Sequence, residues 1–168
     1  MSANRLGYAT NIFPLLAPVD SVTTAYDSIF VDLKNATRAT FFLYLGVLTG
    51  AATTSHPTIT MEAATAAASS TAPTAIPFTY RLSAATGTNT WGAATTVANT
   101  GLVVDVVSGD GKMLMIDVDP AALEALVGTA RYVRMHVGIV GGGSVFLNAI
   151  WAELEPFYAQ TTMISAAS

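Results

Sequence analysis

Apolar residues recur at every second position in one short run after another, and this rhythm is that of a pleated strand rather than a helix. In "TITMEA", Ile59 and Met61 alternate with Thr58, Thr60 and Glu62. In "IPFTYRLSAA", Phe78, Tyr80 and Leu82 oppose Thr79, Arg81 and Ser83. In "ARYVRMHVGIV", Val133, Met135, Val137 and Ile139 lie on one side, with Tyr132, Arg134 and His136 on the other. "SIFVDLKN" sets Ile29, Val31 and Leu33 against Asp32 and Lys34, with Phe30 the exception. Turn-forming clusters such as "TGTN" and "SGDG" separate the runs. Eight or nine short strands at such spacing predict an all-β fold, an antiparallel β-sandwich of jelly-roll or immunoglobulin-like type.

Other segments refine the expectation. "ATRATFFLYLGVLTG" carries Phe41, Leu43, Leu45 and Val47 on one face and Phe42, Tyr44 and Leu48 on the other, the pattern of a strand covered on both sides. "GLVVDVVSGDGKMLMIDVD" reads as a hairpin turning at Asp110-Gly111, where positive φ is needed. "DPAALEALVG" predicts one short crossover helix over 120–127, with Asp119 as N-cap, Pro120 in the first turn and Gly128 ending it. "GIVGGGSVFLNAIW" reads as a second hairpin with a tip at Gly141 to Ser144, and "TWGAATTV" as a short strand anchored by Trp91. Phe146, Ile150 and Leu154 would also fit a helix face, but the glycine-rich link favours a strand. The stretch from Ala63 to Ala75 reads as an exposed loop. The expected organisation is an extended arm over 1–20 broken by Pro14 and Pro18, one sandwich domain over 21–158, and a tail over 159–168.

Composition narrows the function classes. Of the 168 residues, 11% are charged, against roughly 25% in ordinary soluble domains, and 52% are apolar. Such a chain is not disordered. The strongest apolar run, "FFLYLGVLTGAA" from Phe41 to Ala52, is shorter than the ~20 residues a membrane helix needs. The N-terminus has no uninterrupted apolar stretch of the signal-peptide kind. Net charge is −4 and the seven Lys and Arg residues are scattered, so there is no basic stripe for nucleic acid. A surface this poor in charge favours association with copies of itself or a larger assembly.

No residue set points to catalysis, a metal or a cofactor. "GGGSVF" has no lysine for a P-loop, and Phe146 stands where a dinucleotide fingerprint needs its third glycine. Ser144 is not in a nucleophile elbow. His56 precedes Pro57 in a loop, and His136 lies mid-strand with no orienting partner evident in the sequence. Asp117 and Asp119 resemble an Asp-x-Asp metal pair, but Asp119 is better used as a helix cap and Asp110 as a turn former. With no cysteine, disulfides, thiol nucleophiles and thiolate metal sites are excluded. Trp91, Trp151, Tyr80 and Tyr132 could form a sugar-stacking platform, though their positions suit a core or subunit interface better.

The order of segments resembles that of small virion proteins of tailed bacteriophages. The likeness lies in "YDSIFVDLKNATRATFFLYLGVLTG", "TITMEAA", "IPFTYRLS", "TNTWGAA", "DVDPAALEALVGTARYVRMHVG" and "VFLNAIWAELEP", from about Tyr26 to Pro156. The resemblance implies a head decoration or cement protein, β-rich and trimeric, made in the host cytoplasm. It would sit on the capsid surface with the major capsid protein and its own copies as partners, without enzymatic activity. Under that reading Ile12, Phe13, Leu15, Leu16 and Val19 are the expected assembly contacts. The alternative is a carbohydrate- or receptor-binding sandwich, adhesin-like, with Trp91 exposed.

Overall fold

In the computed structural model the described residues are 11–21, 23–49, 57–67, 72–105, 109–138 and 145–157. They form two antiparallel sheets packed face to face with one short helix, so the all-β sandwich expected from the alternation is what the chain adopts. The larger sheet runs β1 (Asn11–Asp20), β12 (Phe146–Pro156), β4 (Ala36–Leu48), β10 (Met113–Val118), β7 (Phe78–Leu82) and β8 (Thr95–Val97). The smaller runs β2 (Tyr26–Asp27), β11 (Tyr132–Val137), β5 (Thr58–Ala64) and β6 (Thr74–Ile76). To it β3 (Val31–Asp32) adds on β11, and β9 (Leu102–Val103) on β5. Twelve strands are thus described rather than eight or nine, because polar breaks cut several runs into pieces of two or three residues.

The alternation sets the core. Phe41, Leu43, Leu45, Leu114, Ile116, Phe146 and Ile150 point inward from the larger sheet, and Ile59, Met61, Val133, Met135 and Val137 from the smaller. All are essentially without solvent contact. Burying each such side chain contributes about 1.5–3 kcal/mol. The helix α1 (Pro120–Val127) carries the chain from β10 to β11, one sheet to the other, and inserts Leu123 into the core. Asp119 caps it, accepting from the Ala121 N–H at 2.9 Å, Pro120 opens it, and the chain leaves at Gly128 with φ 63°.

Both expected hairpins between apolar runs are overturned. β9 pairs with β5 in the smaller sheet, whereas β10 pairs with β4 and β7 in the larger. Likewise β11 belongs to the smaller sheet and β12 to the larger. In each case the two runs carry apolar inner faces that meet across the core instead of side by side. Gly111 does adopt φ 66°, as the turn requires, but the turn leads from one sheet to the other. The tip from Gly141 to Ser144 lies outside the described residues. The final segment is a strand: Phe146, Asn148, Ile150, Ala152 and Leu154 are buried in strict alternation.

Two more expectations need correction. From Asn11 on, the stretch read as an arm is edge strand β1, laddered to β12 from Asn11↔Leu154 to Asp20↔Leu147. Its prolines do not free it, since an edge strand needs hydrogen bonds on one side alone. The Ala63–Ala75 stretch is not wholly a loop. Ala63 and Ala64 are buried in β5, and Met61↔Ile76 to Ala63↔Thr74 pair β5 with β6. The tail over 159–168 lies outside the described residues.

Candidate functional site

The pleat that turns Phe41, Leu43 and Leu45 inward turns Phe42 and Tyr44 outward. Among the described residues β4 is therefore covered on one side alone, and Tyr44 is 41% exposed. Cross-strand register extends this second apolar face over the larger sheet. One row reads Pro14 (β1), Trp151 (β12), Phe42 (β4), Met115 (β10) and Arg81 (β7). The row beside it reads Ala149, Tyr44 and Met113. Trp151 and Phe42 stack with ring centroids 5.6 Å apart and planes 15° off parallel. Ile12, Val47 and Leu147 extend the face and are 51%, 51% and 43% exposed. Val47 and Leu48 exchange the sides the sequence assigned them, because the β12–β4 register shifts between Phe146 and Asn148.

On one flank the face becomes polar. The row is Ile12, Glu153, Thr40, Asp117 and Thr79. Asp117 Oδ1 accepts from Arg38 Nη2 at 2.6 Å and Nε at 3.1 Å, and from Thr40 Oγ1 at 2.8 Å. Arg38, Thr40, Phe42, Met115, Glu153 and Glu155 line a shallow hollow of about 200 Å³. Asp117 is thus bound to a guanidinium and a hydroxyl, while Asp119 caps the helix, so the Asp-x-Asp pair is divided between two structural uses.

The outer face of the smaller sheet is built differently. Arg134 donates from Nε to Glu62 at 2.7 Å and from Nη1 to Asp27 at 2.9 Å. His136 Nδ1 lies 2.6 Å from the other Asp27 oxygen. Beneath this network the Arg134 guanidinium sits 4.9 Å from the ring centre of buried Phe30. Next to it Arg131 bonds Asp32 and lies 4.8 Å from the Tyr132 ring. The hydrogen bond to Asp32 raises the Arg131 pKa above its ordinary value against the opposing effect of desolvation. His136 therefore has the partner that the sequence did not reveal, Asp27, brought from a strand far away in the chain. His56 and Ser144 lie outside the described residues.

The residues singled out from the sequence divide accordingly. Of the five expected assembly contacts, Leu15 is buried in the core, Phe13 and Leu16 pack against it, and Val19 is half-buried. Ile12 is exposed on the apolar face. The four candidate platform aromatics do not converge. Tyr80 packs on the core, Tyr132 lies on the smaller sheet, Trp91 bridges Ser83 in a half-buried position, and Trp151 joins Phe42. The residues of this face that the sequence reading did not single out are Phe42, Tyr44, Met113 and Met115. For Phe42 and Tyr44 the signal was the double-sided apolar pattern of β4, whereas Met113 and Met115 join the face only through the β10–β4 register.

No family model matches this chain, and no curated protein does. Among solved structures, this chain is similar to the crystal structure of the SPBc2 prophage-derived protein YomS, at 16% identity and a TM-score of 0.42, covering 86% of this chain and 91% of that one. A second, the structure of infectious bursal disease virus Gt strain, is matched at 12% identity and a TM-score of 0.21 over 95% of this chain and 44% of the other. Among the described residues, no helix is long and apolar enough to cross a membrane.

Proposed function

We propose that this is a structural virion protein of a tailed bacteriophage that binds the capsid exterior and stabilises the head, assembling with its own copies rather than acting as an enzyme. The observation that carries the reading is the apolar outer face of the larger sheet, which none of the described residues covers. Stacked Trp151 and Phe42, with Tyr44, Met113 and Met115, occupy the side of a sheet that solvent-facing sandwiches fill with charge. Exposed apolar patches of this kind mark association surfaces. In a chain with 11% charged residues, little else keeps copies apart. The segment-by-segment resemblance to phage virion proteins names the assembly. On a shell, many weak contacts repeated by symmetry hold each copy in place.

The test is to add the purified protein to undecorated shells and follow co-sedimentation and shell melting. Binding at fixed stoichiometry with a higher shell melting temperature is expected. Shells that sediment without it would overturn the reading.

A second reading has one observation in its favour. The Trp151–Phe42 stack adjoins the hollow lined by Arg38, Glu153 and Glu155, a juxtaposition of ring face and polar groups that can hold a sugar. Fluorescence of Trp151 in a Trp91→Phe background, titrated with a glycan panel, separates the two. Saturable quenching would favour the carbohydrate-binding module, and a flat response the virion protein.

A further inference from the structure

We infer that the outer face of the larger sheet is covered by a second copy of the same chain, face to face about a two-fold axis that runs along the strands between β4 and β10. The inference rests on the self-association part of the proposed function and replaces the trimer that the resemblance implies with an even-numbered unit.

Three observations lead to this occupant. The first is size. Six strands at the usual spacing span about 24 Å, and β10, with six residues against the thirteen of β4, limits the rows that can overlap to about 20 Å. The overlapping face is then at most about 480 Å² per partner, the size of a reversible rather than an obligate interface. The second is the state of the edges. The larger sheet's edges are β1, which holds Pro14 and Pro18, and β8, which is three residues long, so neither can extend a ladder cleanly into another chain. Association is thereby directed to the face.

The third is self-complementarity. The sheet order β1-β12-β4-β10-β7-β8 has its midline between β4 and β10. A two-fold axis there lays β4 over the second copy's β10, and β12 over its β7, with every row kept level. In the central row, Phe42 then meets the second copy's Met115, and Trp151 meets its Arg81. Thioether on ring and guanidinium on indole are both favourable contacts. In the neighbouring row Tyr44 meets Met113. In the polar row, Glu153 lies over Thr79 and Asp117 over Thr40, so no carboxylate faces a carboxylate. The other possible axis, across the strands, would set the Arg38 and Glu155 end over exposed Val47 and Leu147, charge against apolar surface. Sheets that pack face to face cross at about 30°, which shifts the outer rows but leaves those near the axis in register. The charged faces of the two smaller sheets then point outward on opposite sides of the pair, each open to another protein.

Sedimentation equilibrium of the full chain tests this, with Met115→Glu on the apolar face and Thr60→Glu on the smaller sheet as control. Circular dichroism verifies that each variant is folded. A wild-type dimer, a Thr60→Glu dimer and a Met115→Glu dissociation constant raised at least 100-fold are expected. A wild-type monomer, a trimer, or a dimer indifferent to Met115→Glu overturns the inference. Because the chain has no cysteine, Phe42→Cys and Met115→Cys proteins can be mixed and oxidised. The mixed pair should cross-link at least ten times faster than either protein alone, and equal rates overturn the inference even if Met115→Glu fails to fold. A dimer that never binds shells defeats the capsid reading and leaves this one standing. A monomer that binds shells does the reverse.

Discussion

The two outer faces of this sandwich start from the same pleat and end with opposite chemistry. On the smaller sheet, Arg134, Glu62, Asp27 and His136 satisfy one another, and an arginine covers the one ring beneath them. On the larger sheet, rings and thioethers lie side by side with no layer of the described residues above them. The inner faces are alike in being apolar, filled mainly by Phe, Leu and Ile on the larger sheet and by Ile, Val and Met on the smaller. A sandwich therefore needs only one apolar face per sheet to fold, and a second one serves something outside the fold. Among the described residues the smaller sheet's outer face is closed by its own ion pairs, and under the proposed assembly the larger sheet's is closed by a second copy.

The largest effect is expected at β1, an edge strand of the larger sheet. Deleting residues 1–20 removes the whole β1 ladder and the core side chain Leu15. Truncating one buried leucine already costs about 2–5 kcal/mol. The deletion should leave the protein largely unfolded by far-ultraviolet circular dichroism, and a cooperative melt at the wild-type temperature would show that β1 is dispensable.

Next in size is the smaller sheet's own network. Arg134→Ala leaves Glu62 and Asp27 without their shared cation and exposes Phe30. A loss of about 1–3 kcal/mol in urea unfolding is expected, since these groups are half-buried and hydrogen-bonded. Asp119→Ala, at the cap of α1, should cost about 0.5–2 kcal/mol in the same measurement. Smallest is Tyr44→Thr on the apolar face. Monomer stability should move by within about 0.5 kcal/mol, as for an exposed position. Light scattering should nevertheless show weaker self-association. A Tyr44→Thr variant that loses as much stability as Arg134→Ala, with association unchanged, would erase the distinction between the faces.

What the sequence disclosed was the periodicity, and what it hid was the partner of each strand. Val133, Met135 and Val137 could be placed on one side of β11 by alternation alone. Asp119, Pro120 and Gly128 marked the helix because capping is a local matter. Pairing is not local. The runs flanking Asp110-Gly111, and those flanking the glycines from Gly141, have the same signature whether they lie side by side or face each other across a core. The prolines of β1 obscured an edge strand for a similar reason, since the ladder to β12 joins opposite ends of the chain. The apolar face was visible as the double-sided run of β4, but its breadth came from Trp151, Met113 and Met115 on strands whose register no short window contains.

A second copy over the outer face of the larger sheet would shield its methionines from dilute peroxide. Met61 and Met135 are buried in the core, whereas Met113 and Met115 lie half-exposed on that face. Met113 and Met115 should oxidise readily in dilute protein and become protected as concentration rises, with Met61 and Met135 protected throughout. Oxidation of Met113 and Met115 at one rate from dilute to concentrated protein would mean that the face stays open.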